Sequence, residues 1–337
     1  DVDDQTLIDG AAKGMVESIG DDYSEFYTLK EYEDLIDSVS GEYYGIGVVI
    51  STDKESGNVV IVKVFDGSPA EKSGLLAGDM FLKIGDVDVT GMELDELTSL
   101  VKGEEGTSIN VVVDRNGTEK TFSVTREKIE VDTVASKMLD NNIGYIIINQ
   151  FASNTASEFS LQLNELIADG AKGIVIDERD NPGGLLDQVT AVADALLPRG
   201  TVVYTLDKKG TKTEYTSGEG YTDIPLVVLV NENSASASEI LAGAIQDFGR
   251  GKIVGTTTYG KGIVQTMFTI ITEFGSGLKL TTSTYYTPNG RSIQGLGITP
   301  DVVVQMSKEL QDDPSKITLK NDTQLLKAIE TLQEEIK

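Results

Sequence analysis

Ile224-Pro-Leu-Val-Val-Leu-Val230 leads through Asn231-Glu-Asn-Ser-Ala-Ser-Ala-Ser-Glu239 into Ile240-Leu-Ala-Gly-Ala-Ile-Gln-Asp-Phe248. An apolar run, a stretch of small polar residues and apolar positions at helical steps read as buried strand, turn and helix. The same unit recurs upstream. Ile143-Gly-Tyr-Ile-Ile-Ile148 is a buried-type strand, followed by a helix with Phe159, Leu163, Leu166 and Ile167 inward. Gly173-Ile-Val-Ile176 is the next strand, then a Gly-rich turn, then a helix carrying Val189, Val192, Ala193, Leu196 and Leu197. This alternation predicts a largely parallel α/β core, with the last helix spanning Ala235 to Phe248. Beyond 262 the residues Ile263, Val264, Met267, Phe268, Ile270 and Ile271 look strand-like, and Thr323 to Ile336 reads as an amphipathic helix.

Working outward, residues 1–40 read as helical, because Leu7, Ile8, Ala11, Met15 and Ile19 form one stripe until Ser38-Val-Ser-Gly41 breaks it. Residues 41–127 read as a separate, strand-rich unit. Gly45-Ile-Gly-Val-Val-Ile50 is a Gly-rich turn entering a strand, and Val59 to Val64 is a second. Gly67-Ser-Pro-Ala70 opens a short helix ending at Gly74, and Gly78 to Ile84 is a third strand. A helix with Leu94, Leu97 and Val101 on one face stops at Gly103, and Ile109 to Arg115 is the last strand before the Asn116-Gly117 turn. Residues 128–305 form the core and 306–337 a terminal segment.

The chain has 337 residues, 28 basic and 55 acidic side chains and a net charge of −27. Such a surface repels polyanions, which argues against nucleic acid and against docking on an anionic membrane. No apolar run approaches the roughly 20 residues of a membrane span. The chain starts at Asp1 without methionine, as a trimmed or mature form would, so membrane association is expected only through segments outside it. There is no histidine and no cysteine. That excludes a Ser-His-Asp triad, thiol nucleophiles, His or thiolate metal sites and disulfides. A hydrolase built on this chain must move protons with Lys, Asp, Glu or Tyr.

Several motifs could carry chemistry. Gly255-Thr-Thr-Thr-Tyr-Gly-Lys-Gly262 has phosphate-loop spacing, but Gly262 stands where Ser or Thr is needed and a strand follows instead of a helix. Ser51-Thr-Asp-Lys54 fits S-x-x-K but sits in a polar turn with no partner motif. The Ser234-Ala-Ser-Ala-Ser238 turn can expose a nucleophilic hydroxyl at a helix N-terminus, where free amides stabilise an oxyanion; helix capping is the alternative. Asp177-Glu-Arg-Asp-Asn-Pro-Gly-Gly184 ends a strand in a turn that lets backbone approach a ligand, or is a plain strand-to-helix connection.

Taken together, Asn233 to Ile240, Ala244 to Arg250, Gly255 to Gln265, Ile176 to Leu186, Leu280 to Ile293 and Gly297-Ile-Thr-Pro-Asp301 resemble the carboxyl-terminal processing peptidases, or tail-specific proteases. Gly45-Ile-Gly-Val48 and Gly67-Ser-Pro-Ala70 resemble the PDZ domain inserted in that family. The resemblance covers nearly the whole chain, in order. It implies a ββα-spiral, crotonase-like α/β protease core, an inserted PDZ domain and flanking helical and terminal segments.

It also implies that Ser236 is the nucleophile, Lys261 the general base and Gln265 its orienting partner. The amides of Gly183, Gly184 and Ala237 would form the oxyanion hole, with Glu239 and Asp247 supporting the helix. A Ser–Lys dyad suits a chain without imidazole, but the lysine, ordinarily titrating at about 10.4, must be neutral near pH 7. That costs roughly 4 kcal/mol, supplied by desolvation. If 261–265 forms a helical turn, Lys261 and Gln265 are neighbours. In the PDZ domain, Gly45, Ile46, Gly47 and Val48 would hold a terminal carboxylate, and the face near Leu94, Leu97 and Val101 would pack its last side chain. Tyr43 and Tyr44 stand where many such loops have a basic residue nearby, and Arg115 is expected to link the domain to the core when peptide binds. The family usually has an apolar residue where this chain has Glu178, which would either face solvent, disturb the strand or mark a resting state.

The resulting expectation is a serine endopeptidase acting on proteins or peptides bound by their C-termini. It needs no metal or cofactor, binds no nucleic acid, leaves homo-oligomerisation open, and is exported to the cell envelope, periplasm or lumen. A catalytically idle PDZ-containing scaffold and a nucleotide-dependent enzyme are the competing readings.

Overall fold

Asp3 caps the first helix, α1 (Asp4–Glu17), by accepting the Thr6 N–H at 2.8 Å. The computed structural model describes residues 2–54, 56–270, 275–312 and 314–336, and Ile271 lies outside them. The stripe expected to pack is on the surface: no residue of α1 is buried, and Leu7, Ile8, Met15 and Ile19 are exposed. Nor is the segment helical throughout. The short strand β1 (Glu25–Tyr27) interrupts it, burying Phe26 and Tyr27, before α2 (Leu29–Ser40). That helix ends at Ser40, within the expected break at 38–41, where Gly41 has φ +72°.

The chain divides into one compact unit at Gly41–Val131 and another made of 1–40 with 132–337. The first contains β2 (Glu42–Gly45), β3 (Val48–Thr52), β4 (Val59–Val64), α3 (Pro69–Ser73), β5 (Met80–Ile84), β6 (Val87–Asp88), α4 (Leu94–Val101), β7 (Ser108–Asp114), β8 (Glu119–Thr125) and β9 (Glu127–Glu130). Its sheet has the order β3-β4-β5-β7-β8, with β6 on β5, while β2 and β9 pair antiparallel. Strand β7 is therefore not the last. Two more follow the Asn116-Gly117 turn, and β8 exposes most of its residues, so it offers no apolar alternation to read. Leu97 and Val101 point into the core with Ile46, Ile61, Phe81 and Val111, while Leu94 is half-buried. Arg115 is held inside this unit: its guanidinium donates to both oxygens of buried Asp79, at 2.5 and 2.6 Å, and to the Gly74 carbonyl.

The other unit continues with β10 (Val134–Leu139), β11 (Ile143–Ile148), α5 (Thr155–Ala168), β12 (Gly173–Asp177), α6 (Leu186–Leu196), β13 (Gly200–Asp207), β14 (Lys212–Ser217), β15 (Leu226–Val230), α7 (Ala237–Phe248), β16 (Gly251–Gly255), β17 (Ile263–Thr269), β18 (Gly277–Tyr286), β19 (Val302–Val303), α8 (Lys308–Asp312) and α9 (Thr323–Glu335). A six-stranded sheet runs β10-β11-β12-β15-β16-β19, with only β10 antiparallel to its neighbour. Both faces are covered, which is why its central strands are apolar along nearly their whole length, Asp177 at the end of β12 excepted. Ile146, Ile148, Ile174, Ile176, Val228 and Val230 pack against α5, α6 and α7. Their alternates Tyr145, Val175, Val227 and Leu229 pack against Leu325, Ala328 and Leu332 of α9. Each fully buried aliphatic side chain contributes about 1.5–3 kcal/mol. Ile167, expected inward on α5, is exposed instead. A second sheet has the order β14-β13-β18-β1, with β17 also paired to β18. No helix among the described residues is long and apolar enough to cross a membrane.

Candidate active site

The parallel strands β12 and β15 end side by side, and the two turns that leave them meet. The helix after β15 starts at Ala237, not Ala235, because Ser236 is its cap and has φ +54°, ψ −110°. A non-glycine residue on that side of the map is strained, and such strain persists only where the surroundings over-determine it. Here they do. The Ala235 N–H donates to the Asn181 carbonyl at 3.0 Å, and the Ser238 hydroxyl to the same oxygen at 3.1 Å. The Ser234 hydroxyl donates to the Glu178 carbonyl at 2.7 Å. Of the three serines, 234 and 238 are buried in these bonds, and Ser236 alone is half-buried.

The glycine turn lies against this elbow. Gly183 has φ +102°, and a Cβ there would stand 2.7 Å from the Ala235 carbonyl and 2.9 Å from the Ala237 nitrogen. Gly184, at φ +143°, presses on the Phe151 backbone in the same way. The Gly183 amide is already used, donating to Asn181 Oδ1 at 2.8 Å. Among the described residues the amides of Gly184 and Ala237 have no acceptor, and both residues line a 480 Å³ cavity with Ser236. Leu185, Leu186, Tyr215, Ile240, Ile263 and Met267 make that cavity largely apolar.

Lys261 comes from the loop between β16 and β17. The expected helical turn over 261–265 does not form. Residues 263–269 are strand β17, because Ile263 and Val264 pair with Thr284 and Ser283 of β18. The same chain path removes the phosphate-loop reading, since no helix follows Gly262. Gln265 lines the cavity with Ser236, and its Nε2 is buried without a hydrogen-bond partner. Lys261 has no hydrogen bond to Gln265 among the described residues. Its Nζ lies 5.2 Å from the centroid of the Tyr23 ring, and no hydrogen bond links it to Ser236 among the described residues. Burial lowers the Lys261 pKa from its ordinary value; the charge of Lys279 acts in the same direction and Glu239 opposes.

Two side chains tie the backbones of Ser236 and Lys261 together. The fully buried Glu239 carboxylate accepts the Ser236 N–H at 2.9 Å, the Lys261 N–H at 2.8 Å, the Gly260 N–H at 2.7 Å and the Thr258 hydroxyl at 2.6 Å. The Tyr285 hydroxyl donates to the carbonyls of Ser236, at 3.0 Å, and of Lys261. Burial pushes that phenol well above its ordinary pKa, so it stays a donor. The S-x-x-E spacing of Ser236 and Glu239 is a capping-box signal that could have assigned half of this clamp; nothing near Tyr285 in the chain announces its part.

Behind the glycine turn, Arg179 donates to Asp177 Oδ2 at 2.6 Å and Asp322 Oδ2 at 2.8 Å, and Asp322 also caps α9. Burial disfavours the guanidinium charge, but the two carboxylates outweigh it and raise the Arg179 pKa. Between them in sequence, Glu178 is fully buried with neither oxygen hydrogen-bonded, so the reading in which it faces solvent is wrong. Burial, with the Asp177 charge second, holds its pKa well above the ordinary carboxylate range.

In the Gly41–Val131 unit, β3 is an edge strand of its sheet and contacts α4. Gly47, at φ +78°, packs on Ser68, and the Ile46 carbonyl accepts the Ala70 N–H at 2.8 Å. This fixes the Gly45–Val48 loop at the start of the edge. Burial pushes the Tyr43 phenol up to about 12, and Lys102 Nζ lies 5.6 Å from its ring centroid.

The same architecture recurs in known proteins. Residues 142–304 match the family model for peptidase family S41, and residues 44–125 match that for a PDZ domain. A carboxy-terminal-processing protease of Bartonella bacilliformis is 39% identical over 312 residues, which is 90% of this chain and 70% of that protein. A carboxyl-terminal-processing protease of Synechocystis sp. is 38% identical over 302 residues, 88% and 70% of the two chains. The solved structure of a photosystem II D1 C-terminal processing protease aligns with TM-score 0.55 and 31% identity, covering 92% of this chain and 86% of that one. The chain belongs to peptidase family S41, among the carboxyl-terminal-processing proteases, and is a serine-type peptidase that carries a PDZ domain.

Proposed function

We propose that this protein cleaves substrate chains near their C-termini by a Ser–Lys acyl-enzyme route, on a core of the ββα-spiral, crotonase-like type. The observation that carries the reading is the elbow at Ser236, with the unengaged Gly184 and Ala237 amides beside it on an apolar cavity. Ser236 Oγ attacks the scissile carbonyl carbon while Lys261 Nζ accepts its proton. The oxygen that becomes negative takes the Gly184 and Ala237 N–H groups, replacing the expected trio, since Gly183 is committed to Asn181. Collapse expels the amine, which receives the proton from Lys261. Lys261 Nζ, neutral again, then deprotonates a water that attacks the acyl carbon; the bond to Ser236 Oγ breaks, the serine takes the proton back from Lys261 and the acyl group leaves as a carboxylate product. Gln265, with a free buried amide in the cavity wall, is available to orient the lysine or the bound chain.

In the PDZ domain, the free edge of β3 and the adjacent α4 suit an extended peptide added as a strand. The amides of Gly45, Ile46, Gly47 and Val48 would take its terminal carboxylate. Leu94, at the open face of α4, would meet the last side chain, while buried Leu97 and Val101 support it from beneath. The family resemblance further suggests an exported enzyme.

Ser236→Ala should abolish cleavage of a denatured protein while leaving C-terminal peptide binding intact. Full residual activity would refute the assignment. Product masses from substrates differing only in their last three residues would then show whether the tail selects the cut.

A further inference from the structure

Among the described residues the amine of Lys261 has one close partner, and the mechanism does not use it. Tyr23 presents its ring to Nζ at 5.2 Å from the centroid, inside the roughly 6 Å over which an aromatic face attracts a cation. Tyr23 is held there from both sides. Asp21 accepts the Thr281 hydroxyl at 2.7 Å, Ser24 Oγ accepts the Thr281 N–H at 3.2 Å, and Glu25 pairs with Lys279 at 3.1 Å. The segment 21–27 is thereby fastened along β18. We propose that Tyr23 is a positioning residue that parks Lys261 as an ammonium over its ring, away from Ser236, and that the amine must leave the ring before the serine is deprotonated.

The chemistry requires this order. A general base must be neutral and within hydrogen-bond reach of the hydroxyl, about 2.6–3.2 Å, whereas an aromatic face favours the charged form. Other groups act on the same amine. Lys279 of β18 disfavours its charge and Glu239 of α7 favours it, while Asp21, Asp22 and Tyr259 face Tyr23 itself. None of these depends on the quadrupole of the Tyr23 ring, so that contribution can be varied separately.

This inference rests on the Ser–Lys reading, and the test separates the two. The full chain is labelled with a fluorophosphonate, and the rate of Ser236 modification is followed against pH. Position 23 carries phenylalanine or its mono-, di- or trifluorinated analogues, which keep the ring's shape and weaken its negative face. Tyr23→Leu completes the series. The acid limb should step downward with each fluorine, and Leu should lower it by about 0.7 pH unit, equal to about fivefold faster labelling below the limb. A limb that stays put or rises across the series, with labelling still dependent on Lys261, overturns the role of Tyr23 alone. Labelling of Lys261→Ala at the unmodified enzyme's rate overturns the dyad and this inference with it. The fluorinated set keeps the test decisive if Tyr23→Leu does not fold.

Discussion

Glu178→Leu should make the protein more stable, and more so as pH rises. The Glu178 main chain is well used: its N–H donates to Leu229 at 2.9 Å and its carbonyl accepts Ser234 Oγ at 2.7 Å. Its side chain is the opposite, fully buried with both oxygens unsatisfied. Leaving such a group unpaired costs about 1–3 kcal/mol even when it is neutral. A second cost depends on pH. The unfolded chain releases this proton near 4.5, whereas the folded state keeps it far above that value. The raised pKa means that stability is intact below 4.5 and is lost as pH rises toward the folded value, at about 1.4 kcal/mol per pH unit.

Between about pH 5 and about pH 7 the advantage of leucine should therefore grow, by up to about 1.4 kcal/mol for each pH unit over which the buried acid keeps its proton. At about 2–4 °C per kcal/mol for a unit of this size, the gap in melting temperature should widen by about 3–6 °C for each such pH unit. Calorimetric melts of the two proteins at the two pH values measure it. A gap of equal size at both would show that Glu178 has found a partner or is ionised, and the buried-acid reasoning would fail. A less stable leucine variant would refute it outright.

Glu239→Gln replaces an acceptor of four donors with a group that is half donor, so the elbow and the Lys261 loop lose their common anchor. Misplacement of this kind costs on the order of a hundredfold in turnover, readable as slower fluorophosphonate labelling of Ser236 with PDZ peptide affinity unchanged. Gly183→Ala places a methyl 2.7 Å from the Ala235 carbonyl at φ +102°. It should cost about 1–3 kcal/mol of stability and lower kcat more than it raises KM. A variant with native kcat would mean that the turn does not set the oxyanion site.

What the chain discloses locally, it discloses well. The runs at 143–148, 173–176 and 226–230 are buried on both faces, so apolar content alone marks them as core strands. The serine and glycine turns are legible because each follows such a strand. Where tertiary pairing decides, local pattern misleads. Strand β1 lies in an acidic, helix-like stretch and exists through pairing with β18, over two hundred residues away. Lys261 and Gln265 read as a possible turn of helix by spacing, yet the β-branched Ile263 and Val264 follow the ladder to β18. Glu178 leaves three readings open in the sequence; burying an unpaired carboxyl is rare, and no periodicity flags the exception.

The distance between amine and hydroxyl is a matter of side-chain torsion more than of loop position. Glu239 joins the N–H groups of Ser236 and Lys261, and Tyr285 joins their carbonyls, so both main chains hang on one buried frame. Moving the loop would break several buried hydrogen bonds, each worth about 1–3 kcal/mol when left unmade. Swinging the lysine stem breaks none of them. It gives up an aromatic contact of roughly 1–2 kcal/mol and moves the amine toward an apolar cavity, where desolvation further favours the neutral form. Leaving the ring and losing the proton are thus coupled. On the proposed Ser–Lys route, a bound chain that fills the cavity and excludes water would favour both together, so substrate itself would bring the lysine into its working state without any rearrangement of the fold.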